Sequence, residues 1–170
     1  MHNDAQHLSP LPQRPNVPNV PNVPAHIPQP LRDCFAAQHA AFQKQRCPSL
    51  AERRADLRAL HRLLVDNREA LVDAVNRDYG CRSRFETLMT ELLQAQEGLL
   101  DAIKRLPRWM RREKRSLDIS QYPLASAWVQ PQALGVVGVV VPWNFPIAMA
   151  VQPMIGALAA GNRVMVKMSE

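Results

Sequence analysis

Cysteine is scarce in this sequence: Cys34, Cys47 and Cys81 are three among 170 residues, and no CxxC or CxxH pair surrounds them. A zinc site is therefore not expected, and an odd count of unpaired cysteines reads as free thiols in a reducing cytoplasm. Histidine is scarcer still where it would matter. His39 and His61 are the only histidines after the first thirty residues, and none follows His61. That excludes Ser–His or Cys–His catalysis inside the apolar last third of the chain. His61 lies among Leu60, Leu63 and Leu64, where a packed or snorkelling ring is the ordinary reading. Charge is missing from residues 119 to 162 altogether. Pro131, Pro142, Pro146 and Pro153 nevertheless break every helix in that run before the roughly 20 residues a membrane span needs. No basic start followed by an apolar core opens the chain, so no signal peptide is expected. The sequence also has no GxGxxG, and the pair Gly135 and Gly138 precedes the wrong element to serve as that fingerprint.

What is present is the composition of a globular chain with a real core: 46% hydrophobic and 21% charged residues. The net charge of +6 is local. Residues 104–115, KRLPRWMRREKR, carry seven cations (Lys104, Arg105, Arg108, Arg111, Arg112, Lys114 and Arg115) against Glu113, a balance equal to that of the whole chain. Trp109 among them could stack on a base, but cations also suit the negative pole of a helix end. No recognisable nucleic-acid motif accompanies the run, and no nucleic-acid partner is expected. Residues 1–30 hold eight of the fifteen prolines and a threefold Asn-Val-Pro at 16–24, which reads as a disordered, polyproline-like arm.

Helical spacing begins at about Leu31, with Leu31, Phe35, Ala36 and Phe42 on one side and Pro48 as the stop. Ser49 and Glu52 form a capping-box pair ahead of Leu50, Leu57, Leu60 and Leu64, with Glu52, Arg53, Arg54, Asp56 and Arg58 expected on the solvent face. A third helix carries Leu71, Val72 and Val75 and stops at Gly80. Ser83, with Glu86 three residues on, opens a fourth, whose apolar stripe is Phe85, Leu88, Met89, Leu92, Leu93, Leu99, Leu100 and Ile103. Beyond the basic run, Leu117–Ile119 and Ala125–Gln130 read as short strands of an edge hairpin punctuated by Pro123 and Pro131.

The most informative stretch runs from Leu134 to Glu170. Gly135 to Val141 is a β-branched run of the kind buried on both faces of a parallel sheet. Pro142 and Pro146 end it and bracket Trp143-Asn144-Phe145. Ile147 to Ala160 is helical and closes on Gly161-Asn162, and Arg163 to Lys167 returns to a strand. This predicts a β-α-β unit whose first turn presents one asparagine.

Three separated elements in that stretch, Pro142-Trp143-Asn144-Phe145-Pro146, Gly156-Ala157-Leu158-Ala159-Ala160-Gly161-Asn162 and Lys167-Met168-Ser169-Glu170, resemble the aldehyde dehydrogenase superfamily in order and spacing. Ala51-Glu52-Arg53-Arg54 and Asn76-Arg77-Asp78-Tyr79-Gly80 look like its amino-terminal helical segment, so the resemblance covers about residues 31–170. Gln152-Pro153 looks like the branch containing fatty and aromatic aldehyde enzymes, and the Met168 of KMSE, where the superfamily usually has proline, is similar to coniferyl aldehyde dehydrogenases. The resemblance implies oxidation of an aldehyde by cysteine attack, hydride transfer to NAD(P)+ and thioester hydrolysis. Asn144 matches the family's oxyanion donor. Val140, Val141, Pro142 and Trp143 match positions along the cofactor, and Lys167, Ser169 and Glu170 those at the adenosine ribose. The carboxylate of Glu170 tilts the cofactor towards NAD, with NADP also possible. An aldehyde substrate and a homo-oligomeric full-length enzyme are implied as well.

The expectation is thus an α/β chain: a proline-rich arm (1–30), a helical segment (31–116), an edge hairpin (117–133) and the first β-α-β unit of a Rossmann-like NAD(P)-binding sheet (134–170). The family's nucleophilic cysteine and general-base glutamate fall after Glu170, so the 170 residues are expected to be an amino-terminal fragment without turnover of their own. The competing expectation is a non-catalytic interaction protein that uses residues 104–115 and the arm.

Overall fold

The computed structural model describes residues 27–118 and 120–169, so the proline-rich arm up to residue 26, Ile119 and Glu170 lie outside the described residues. Helix α1 (Gln29–Lys44) starts with Pro30 in its first turn, where a missing N–H costs nothing. Helix α2 (Leu50–Asp66) is opened by the expected capping box: the Glu52 amide donates to Ser49 Oγ at 3.3 Å, and the Ser49 amide donates to Glu52 Oε2 at 2.7 Å. Helix α3 (Arg68–Tyr79) ends at Gly80, whose φ of 74° is the left-handed conformation that lets a helix stop.

The next helical stretch departs from expectation. Helix α4 (Arg84–Thr87) runs through a π-helical turn (Leu88–Leu93) into α5 (Gln94–Trp109). Ser83 caps nothing through its side chain, and Glu86 pairs with Arg82 instead. The inward face keeps regular spacing through the π turn, by Leu88, Leu92, Ala95, Leu99, Ala102 and Leu106, and is narrower than the expected stripe. Leu92 and Leu99 are buried, but Phe85, Met89, Leu93 and Leu100 are exposed.

The basic run also divides. Helix α5 ends at Trp109, and β1 (Glu113–Arg115) pairs antiparallel with β2 (Ala127–Val129). The first hairpin strand is therefore formed by residues 113–115 rather than by Leu117 and its neighbours. The Arg112 guanidinium lies 5.1 Å from the Trp128 ring and donates to Gln130, anchoring the start of that strand.

Strand β3 (Val136–Val140), helix α6 (Pro146–Ala159) and strand β4 (Arg163–Lys167) make the expected β-α-β unit, with β3 and β4 parallel and Val140 opposite Lys167. Val139, Val141 and Ala150 form a small cluster between strand and helix. Helix α1 also lies against β3 and β4, but Gly138 and Val140 stay exposed, so β3 is not buried on both faces along its length as the β-branched run led us to expect.

Two cores result. The larger joins α2, α3, α5 and α6 through Leu57, Leu64, Val72, Leu92, Leu99, Leu106 and Ile155. Arg53, expected in solvent, is buried at its edge and donates to the Pro48 and Ala159 carbonyls at 2.9 and 3.1 Å. Burial of the guanidinium pushes the Arg53 pKa below its ordinary value. Gly161 packs against that side chain with a φ of 86°, and a β-carbon there would stand 2.9 Å from Arg53 Cζ. The Gly161 amide bonds Leu158 O and the Asn162 amide bonds Ala157 O, which completes a Schellman ending for α6. Asn162 Oδ1 then accepts from the Leu134 and Gly135 amides at 2.6 and 2.9 Å. The Gly-Asn pair thereby ties the end of α6 to the start of β3.

Candidate functional site

Parallel strands place their carboxyl ends on one side, and in open α/β sheets ligands collect there. Here that edge is formed by Val140, Val141, Pro142 and Trp143 after β3 and by Lys167, Met168 and Ser169 after β4, with the Val141 amide bonded to the Lys167 carbonyl at 3.0 Å. Val141 is buried against α6, whereas Val140 and Trp143 are 83% and 70% exposed. Pro142 and Lys167 are also exposed, Ser169 is half-buried, and the Lys167 ammonium donates to Met168 O at 2.8 Å. Glu170 lies outside the described residues.

Asn144 sits at the tip of the loop from β3 to α6. It is exposed, and its side-chain amide has no hydrogen-bond partner among the described residues. Its backbone is held on both sides. The Tyr79 hydroxyl donates to the Trp143 carbonyl, and Arg82 Nη1 donates to the Asn144 carbonyl at 2.8 Å. Further on, Glu91 Oε2 accepts from the Ile147 and Ala148 amides at 2.7 and 3.2 Å. These are the first two free N–H groups of α6, whose own N-cap, Phe145, provides no side-chain cap.

Tyr79, Arg82 and Glu91 were not singled out in the sequence. Their partners lie 56 to 64 residues away, so no local pattern encodes the contact. One signal was available for Glu91: a carboxylate on a helical face otherwise made of Leu88, Leu92, Ala95 and Leu99 is a buried charge that needs partners.

A family model, the aldehyde dehydrogenase family, matches residues 17–170. The chain belongs to the aldehyde dehydrogenase family. A probable coniferyl aldehyde dehydrogenase of Pseudomonas aeruginosa is 46% identical over 140 residues, 82% of this chain and 29% of that protein. A coniferyl aldehyde dehydrogenase of a Pseudomonas species is 45% identical over 108 residues, 64% of this chain and 22% of that protein. The chain thus spans between a fifth and a third of the length of these curated relatives. Among solved structures, a substrate-bound Staphylococcus aureus AldH superposes with a TM-score of 0.77 at 23% identity over 82% of this chain and 30% of its own, a likeness of fold.

The exposed carboxyl edge thus combines apolar Val140 and Trp143 with the polar side chains of Lys167 and Ser169. A shallow depression of about 270 Å³ lies elsewhere, between Arg53, Trp109, Gln130 and Ala159, and no predicted site residue lines it. Among the described residues no group of three His, Cys, Asp or Glu could hold a metal ion, and no helix is long and apolar enough to cross a membrane.

Proposed function

We propose that this chain is the portion of an NAD-dependent aldehyde dehydrogenase that supplies one oxyanion donor and the ribose wall of the cofactor site. The substrate class is an aryl or alkenyl aldehyde such as coniferyl aldehyde, a choice supported by the names of the Pseudomonas relatives. The observation that carries the reading is the loop itself: Asn144 stands exposed with an unengaged side-chain amide, on a backbone clamped by Tyr79 and Arg82.

A carbonyl carbon under nucleophilic attack develops charge on its oxygen, and a neutral donor held in place stabilises that charge without reorganising. Asn144 Nδ2 is such a donor, and Pro142 and Pro146 limit the conformations of the loop that aims it. When bound, the nicotinamide cofactor would accept hydride. This chain's part is to hold the cofactor: Val140, Val141, Pro142 and Trp143 along it, Lys167 and Ser169 at the adenosine ribose, and Glu170 as the acceptor for the ribose hydroxyls. A carboxylate at that position repels a 2′-phosphate, which favours NAD over NADP.

The test is steady-state oxidation of coniferyl aldehyde by the complete gene product, followed through reduced nicotinamide. NAD should outperform NADP, and Asn144→Ala should lower kcat ~10²–10³-fold, the usual effect of losing one oxyanion donor. An Asn144→Ala enzyme with wild-type kcat would sink the assignment.

A further inference from the structure

The Arg82 side chain is 5% exposed and Glu91 is fully buried, an unusual place for two charges. Arg82 Nη2 lies 3.5 Å from Glu91 Oε1 and 3.5 Å from Glu86 Oε1, while Nη1 takes the Asn144 carbonyl. The same guanidinium lies 4.9 Å from the Tyr79 ring and 4.7 Å from the Phe145 ring, so two aromatic faces restrain its plane. Glu91 in turn holds the two amides that start α6. Together with the Tyr79 hydroxyl, these side chains fix the peptide plane before Asn144 through its Trp143 oxygen and the plane after it through its own oxygen. With both planes fixed, the Cα–Cβ bond of Asn144 points in one direction, and only the two side-chain torsions remain free.

A buried ion pair adds little net stability compared with apolar side chains of similar size. Its presence beneath this loop is better explained by the orientation it enforces. We propose that Arg82, seated on Glu91 and held between Tyr79 and Phe145, is the positioning residue that aims the Asn144 amide. The proposal rests on the oxyanion-donor reading of Asn144. Lysine cannot replace Arg82 in this role, because one ammonium lacks the planar fork that meets two rings, a carbonyl and a carboxylate at once.

The experiment is a double-mutant cycle in the complete gene product. Arg82→Met should lower kcat about 10- to 100-fold, the scale of a misaimed catalytic group, and leave KM for the aldehyde within about twofold. Arg82→Lys should not restore kcat. In an Asn144→Ala background, Arg82→Met should cost nothing further, because its effect runs through the missing amide. Should Arg82→Met fail to fold, Arg82→Met with Glu91→Gln removes both buried charges; it should fold and still lose kcat. Wild-type kcat in folded Arg82→Met, or losses at Arg82 and Asn144 that multiply, would overturn the positioning role while leaving the Asn144 reading intact. A wild-type rate in Asn144→Ala overturns the donor reading itself, whatever Arg82 does.

Discussion

Leu57, Leu64, Leu92, Leu99 and Leu106, on α2, the π turn and α5, are 2% exposed or less, whereas Gly138 and Val140 of β3 and Pro142, Trp143 and Asn144 after it stand in solvent. The helical region shares one large core with α6, while the strand pair is covered by α6 on one side and carries Val140 bare on the other. The proposed function is concentrated on the bare region. The rigid region contributes through Tyr79, Arg82 and Glu91, which reach across to hold the loop. A site set on an exposed strand end therefore gains its precision from the helices beneath it.

The strongest way to break this contrast is to truncate one side chain from each region. Leu99→Ala should lower the unfolding free energy by about 2–5 kcal/mol, as buried leucines do. Val140→Ala should change it by less than about 0.5 kcal/mol. Urea unfolding of both variants measures the difference, and equal losses would mean that the strand pair is as well packed as the helices. Gly161→Ala probes the junction between the regions. A left-handed φ costs an alanine about 1–2 kcal/mol, and its β-carbon would also press on Arg53, which the Pro48 and Ala159 carbonyls hold in place. In an Arg53→Ala background the packing part of that loss should vanish and the backbone part remain.

The smallest effect lies on the helical side at low pH. Hydrogen bonds from the Ser49 backbone and side chain, with a lesser one from Gln45, hold the Glu52 carboxyl below its ordinary 4.5. A lowered folded pKa means that the capping box stabilises fully above that ordinary value and loses its contribution as pH falls through the lowered one. Glu52→Gln should flatten the dependence of the unfolding midpoint on pH in this acid window. An unchanged slope would show that the box does not titrate with folding.

Local signals were legible in the sequence because the atoms they concern are neighbours in the chain. Ser49 and Glu52 cap each other, Gly80 and Gly161 end helices at positive φ, and the prolines around Asn144 mark the end of β3. Arg53 was misjudged because it sits among Glu52, Arg54 and Asp56, while the carbonyl that buries it belongs to residue 159. The expected Phe85–Ile103 stripe is wider than the buried face, because Met89, Leu93 and Leu100 adjoin Leu88, Leu92 and Leu99 in the chain and apolar character alone does not tell such neighbours apart. Asn144 and its flanking residues could be named from the motif. What holds them could not, since the contacts join segments more than fifty residues apart.

The start of α6 has one more consequence. In many nucleotide-binding folds the first helix after the first strand points its positive pole and open amides at a phosphate. Here Pro146 has no N–H, Ile147 and Ala148 give theirs to Glu91, and Met149 gives its own to the Phe145 carbonyl. An internal carboxylate already occupies the place that an anion would take. A pyrophosphate brought to the start of this helix would meet no open helical amide and a negative charge just behind.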